Sequence, residues 1–60
     1  MRIAITDIVA DHGSVVVFEG IDEGGFTVRF GADHRMAQAI VDALHRSEDP
    51  EAEVESWQFV

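Results

Sequence analysis

Imidazoles, hydroxyls and carboxylates are the only groups in this chain able to move protons, attack a carbonyl or hold a metal. There are three histidines and twelve acidic residues but no cysteine. The lack of cysteine removes a thiolate zinc site, a thiol nucleophile and a disulfide framework together. His34 and His45 stand eleven positions apart. On a helix that spacing returns to nearly the same angle, but about 16 Å further along the axis. Within one subunit two imidazoles so placed cannot share a metal ion, which needs a spacing of three or four, so the histidines read as surface or interface residues. His12 lies in a different part of the chain. Ser14, Ser47 and Ser56 lack the flanking glycines of a nucleophile elbow. Asp33 and His34 read as a helix cap and the first helical residue, an arrangement that makes no proton relay. A pair of hydrolytic carboxylates can be drawn from twelve acids in too many ways to single one out. A chain of 60 residues also has little room for a water-excluding pocket unless subunits build it jointly. The expectation is therefore a protein that is not an enzyme, with no metal and no cofactor.

Two stretches imitate anion sites. Asp22-Glu23-Gly24-Gly25 has the glycines of a phosphate cradle, but such a loop needs a helix directly behind it and no carboxylates in front. Here two acids precede and a strand follows, so a hairpin turn is expected. At the helix start, His34 and Arg35 sit where backbone amides point outward. An anion docked there between subunits gives one alternative function, a small-anion or nucleotide-binding oligomer. The Asp33 carboxylate, expected in the same place, argues against it.

Twelve acids against four arginines give a net charge of −8. A surface of that sign repels phosphates and anionic lipid, so a direct nucleic-acid or membrane binder is not expected. Acidity instead serves solubility, attraction to a basic protein surface, or mimicry of DNA toward a DNA-binding protein. The last is a second alternative function. The closing stretch "EDPEAEVESWQFV" is the most suggestive for binding, because acids lead into a Trp, a residue enriched at binding hot spots. Glu48, Asp49, Glu51, Glu53, Glu55 and Trp57 are the candidate partner-binding residues. The competing expectation puts Trp57 and Phe59 in the core beneath the helix. On the helix, His34, Gln38, Val41 and His45 are the candidate interface toward a neighbour.

These residues are positioned by few elements. β-Branched residues make Arg2 to Ala10 a strand, with a phase shift that predicts a bulge near Thr6-Asp7. Asp11-His12-Gly13 reads as a hairpin loop and Ser14–Glu19 as a second strand. The unalternating run Val15-Val16-Val17-Phe18 suggests cover on both faces. Phe26–Phe30 is a third strand, with Phe26, Val28 and Phe30 on one side. A helix from His34 to about Arg46 buries Met36, Ile40, Ala43 and Leu44, with Ala37 and Val41 at its margin. Ser47–Glu53 reads as a linker, and alternation marks Val54–Val60 as a fourth strand. The fold class is α+β in the order β-β-β-α-β: a small four-stranded, mostly antiparallel sheet with one helix on one face. All 60 residues form a single domain. The expected strand order is 3-2-1-4, with the last strand parallel to the first. One helix covers one face, leaving the other face or an open edge for self-association.

The segments "FEGIDEGGFTVRFGADHRMAQAIVDAL" and "VESWQFV" resemble short, acidic, lysine-poor proteins of actinobacteria and their phages. The resemblance implies no activity, cofactor or binding residue. It implies a phage or mobile-element origin and action by binding a host protein. Together these lines give one expectation: a non-enzymatic acidic protein-interaction module, a phage-encoded modulator or inhibitor of a host protein. It would act as a homo-oligomer with a protein partner, in the cytoplasm (the host's, if phage-encoded).

Overall fold

Valine, isoleucine and phenylalanine dominate the first half of the chain, and three strands form there. The computed structural model describes residues 1–60. It contains β1 (Arg2–Asp11), β2 (Val15–Ile21), β3 (Thr27–Asp33), α1 (His34–His45) and β4 (Glu51–Glu53), then a 3-10 turn at Ser56–Gln58. The sheet order is β3-β2-β1-β4, and every pair is antiparallel. This is the α+β, β-β-β-α-β architecture that the sequence predicts.

The β2–β3 ladder is regular from Val15↔Asp33 to Ile21↔Thr27. The β1–β2 ladder slips twice, between Ile5 and Asp7 and between Ile8 and Ala10. The first slip is the bulge that the phase shift at Thr6-Asp7 predicts; the second leaves Val9 outside the pairing. Extra residues of this kind bend a strand and raise its twist, which curls the sheet around its contents. Both hairpins turn through glycines with left-handed backbone, Gly13 and Gly25, each at φ +85°. Asp11 and Asp22 fix them by accepting amide hydrogens from Gly13 and from Gly24 and Phe26, at 2.8–2.9 Å.

The core lies on one face of the sheet. Ile3 and Ile5 of β1, Val16 and Phe18 of β2, Phe30 and Ala32 of β3 and Ala52 of β4 pack with Ala37 and Ile40 of α1. Phe18 and Phe30 stack with ring centroids 5.8 Å apart. Gly20 is required here: a Cβ would lie 2.5 Å from Ile3 Cγ2 and 2.6 Å from the Ala4 carbonyl oxygen. The unalternating β2 run resolves into alternation, with Val16 and Phe18 buried, Val17 half-buried and Val15 exposed.

The helix follows β3 without a loop. Asp33, the last strand residue, is also its N-cap, with Oδ1 accepting from the Met36 amide at 2.8 Å. The buried line on α1 runs through Ala37, Ile40 and Ala43, with Met36, Val41 and Leu44 half-buried beside it. At the other end Ser47 adopts φ 58°. Its amide reaches the Leu44 carbonyl at 3.0 Å, and the Glu48 amide reaches Ala43 at 3.0 Å. These two bonds form a Schellman motif, with serine in the place usually held by glycine.

Three expectations are corrected. The third strand is Thr27–Asp33, and Phe26 sits 71% exposed in the turn, because its amide is taken by Asp22 rather than by the ladder. The fourth strand is Glu51–Glu53, inside the stretch read as a linker. It is antiparallel to β1, not parallel. A parallel return requires the helix to carry the chain back along β3; instead the Schellman reversal delivers it to the middle of β1. There the Pro50 carbonyl accepts from the Ile5 amide, and the chain runs on toward Arg2. Val54–Val60 is not a strand. Val54 is buried, Ser56–Gln58 is a 3-10 turn, and Phe59 makes a single bridge to Phe30.

Candidate functional site

The C-terminal segment leaves the β4 side of the sheet and ends against the opposite edge, at β3. Gln58 holds it there. Its Nε2 donates to the Gly31 carbonyl at 3.0 Å and approaches Met36 Sδ at 3.8 Å, while its Oε1 accepts from the Glu55 amide at 2.8 Å. The Val60 amide adds a bond to the Arg29 carbonyl at 3.1 Å. Phe59 turns inward and packs half-buried against the core. Trp57, two residues earlier, is thereby turned outward and is 80% exposed. The expectation that Trp57 fills the core fails for this reason: the 3-10 turn breaks the alternation that would have put Trp57 and Phe59 on one face.

Trp57 does not stand alone. With Val15, Gly31 and Val60 it lines a groove of about 290 Å³ along the outer edge of β3. Val15 is 43% exposed and Val60 80% exposed. Gly31 lets the groove floor lie close to backbone, since a Cβ there would meet Val15 Cγ1 at 3.1 Å. Asp33 is the only charged residue lining it, and Gln58 the other polar one. Of the Asp33 carboxylate, only Oδ1 is engaged, by the helix cap.

The acidic residues expected to act with Trp57 lie elsewhere. Glu51 pairs with Arg2 at 2.7 Å and Glu53 with the Met1 ammonium at 2.8 Å, pinning β4 to β1 at the far edge of the sheet. Glu48 pairs with Arg46 at 3.0 Å beyond the helix end. These bonds hold the Glu48 and Glu53 carboxyls below the usual carboxylate range, through the hydrogen bonds first and the attraction of the cations second. Asp49 is exposed beside Glu48. Only Glu55, joined to Gln58 at the 3-10 turn, lies in the same segment as Trp57.

Of the helix candidates, His34, Gln38 and Val41 line a second, smaller groove of about 200 Å³ with Asp11 and Gly13 of the first hairpin. His45 is exposed at the far end of the helix and is not part of it. No group of three or more His, Asp and Glu side chains converges as a metal ion requires. No helix is long and apolar enough to cross a membrane. At the start of α1, the Asp33 carboxylate occupies the position an anion would take.

Val15, Gly31, Gln58 and Val60 were not singled out by sequence. The valine run marked Val15 as apolar but not as outward-facing, and nothing local marks Gln58 as the clamp that turns Trp57 to solvent. No protein-family model, characterised protein or solved structure matches this chain.

Proposed function

We propose that the protein is a non-enzymatic, acidic protein-interaction module whose contact surface centres on Trp57. The observation that carries this reading is a tryptophan 80% exposed, clamped in place by the Gln58 hydrogen bonds. Tryptophan is highly buried on average, and its large rigid surface is costly to leave in water. Here it joins exposed Val15 and Val60 in one apolar patch, the kind of surface that marks an interaction site. The resemblance noted above extends the proposal to a phage-encoded chain that modulates a host protein. Self-association through the same patch belongs to this proposal as its homo-oligomeric form.

The DNA-mimic alternative is less well supported, because Glu19, Glu48, Glu51 and Glu53 are each neutralised by an adjacent cation. The anion-binding alternative has the Asp33 carboxylate in its way. The test is capture by immobilised wild-type protein and by Trp57→Ala. The substitution is at the surface and is expected to change stability by less than ~0.5 kcal/mol. A protein retained by the wild type and lost with Trp57→Ala is the expected result. Equal retention by both, or nothing above background in concentrated extract, would overturn the proposal.

A further inference from the structure

We infer that the Trp57 groove takes a cationic side chain, arginine or lysine, from an extended segment of the partner. This deepens the proposed function and rests on Trp57 being its contact surface. The argument is one of shape and charge together. The groove is a shallow slot beside an aromatic ring, bounded by Val15 and Val60 and floored by Gly31. An aliphatic stem of three or four methylenes lies along such a slot with its apolar surface covered. The end group then reaches the face of Trp57, where a cation is attracted by the ring's electron density.

Charge selects the end group. Asp33 is the only ionisable side chain lining the slot, and its Oδ1 is spent on the Met36 amide. The second oxygen has no hydrogen-bond partner in the chain. Three of the four arginines, Arg2, Arg29 and Arg46, are tied to Glu51, Glu19 and Glu48, and the fourth, Arg35, is exposed and makes no ion pair with Asp33. The molecule as a whole carries −8, which draws a basic segment in and turns an acidic one away.

The probe is the blocked tetrapeptide acetyl-Arg-Val-Arg-Val-amide, compared with its Ser-Val-Ser-Val and Glu-Val-Glu-Val counterparts. Binding is followed by amide and indole NMR shifts of the isotope-labelled protein. The arginine peptide is expected to give saturable shifts at the Trp57 indole, Val15, Gly31 and Val60, with the serine and glutamate peptides giving none. Trp57→Ala abolishes the effect. Asp33→Asn keeps the helix cap, since asparagine caps as well as aspartate, and weakens binding about fivefold. Equal shifts from the serine peptide, shifts spread over the acidic surface, or no shifts at all would overturn the inference. So would patch resonances that move with protein concentration alone, which would make a second copy the occupant. A partner whose capture needs Trp57 but is indifferent to Asp33→Asn would leave the interaction module standing and remove the cationic ligand.

Discussion

Asp33 carries two structural duties with one side chain. It closes β3 opposite Val15 and caps α1 through the Met36 amide. Because strand and helix share this residue, no loop absorbs an error in either. Asp33→Ala leaves the amides of the first turn unsatisfied and is expected to cost about 1 kcal/mol. In a domain of this size that lowers Tm by about 4–8 °C. Asp33→Asn restores the acceptor and should melt close to wild type. Thermal unfolding followed by far-UV circular dichroism distinguishes the two; equal melting of Asp33→Ala and wild type would show that the cap contributes nothing.

The helix ends on a serine at φ 58°, a conformation that costs an L-residue energy because of its Cβ. The Schellman bonds from Ser47 and Glu48 hold it there, and this reversal sends the chain to β1. Ser47→Gly relieves the strain, against some gain of freedom in the unfolded chain, and is expected to stabilise by ~0.5–1 kcal/mol. An increased urea midpoint at unchanged slope is the measurement. A lower midpoint would show that the serine side chain contributes more than its backbone strain costs. The same element sets where β4 begins: the chain enters beside Ile5, where the Pro50 carbonyl accepts the Ile5 amide, and pairs on to Arg2.

The folded chain has a radius of gyration of 10.4 Å, close to the ~10.4 Å of a compact domain this long. The C-terminal segment is therefore folded onto the body rather than trailing from it. Compaction gathers a charge of −8 into a small volume. Four ion pairs, all at least partly solvent-exposed, offset little of the repulsion. Raising sodium chloride from low to physiological strength is expected to increase Tm by roughly 5 °C, because screened repulsion outweighs screened ion pairs. A fall in Tm would reverse that ranking. Acid acts on the pairs individually. Glu48 and Glu53 have folded-state pKa values below the ordinary 4.5. Their contribution is thus present above pH 4.5 and lost as pH falls through the lowered values. Glu48→Gln should flatten the acid limb of the stability–pH curve in that window while leaving the curve above pH 5 unchanged in shape.

Local chemistry decided most of the elements. β-Branched runs, glycines at the two turns and an aspartate before an amphipathic stretch are short-range signals, and they specified three strands, the helix, its cap and the bulge at Thr6-Asp7. The order of the first three strands followed from hairpin connectivity. The direction of β4 and the outward turn of Trp57 did not, because neither is set by nearest neighbours. Alternation in Val54–Val60 is compatible with a strand, yet an isolated strand needs a partner along its length. The tertiary structure offers this segment the Gly31 and Arg29 carbonyls and a single bridge at Phe30 on the β3 edge, not a ladder along its length. Gln58 takes the first, the chain winds into a 3-10 turn to reach it, and the period-two pattern breaks between Trp57 and Phe59. The sequence alone determined that this is an acidic α+β domain with an aromatic terminus. Only the fold decided that one aromatic is half-buried and the other stands in water, because a hydrogen bond between residues distant in sequence sets the phase.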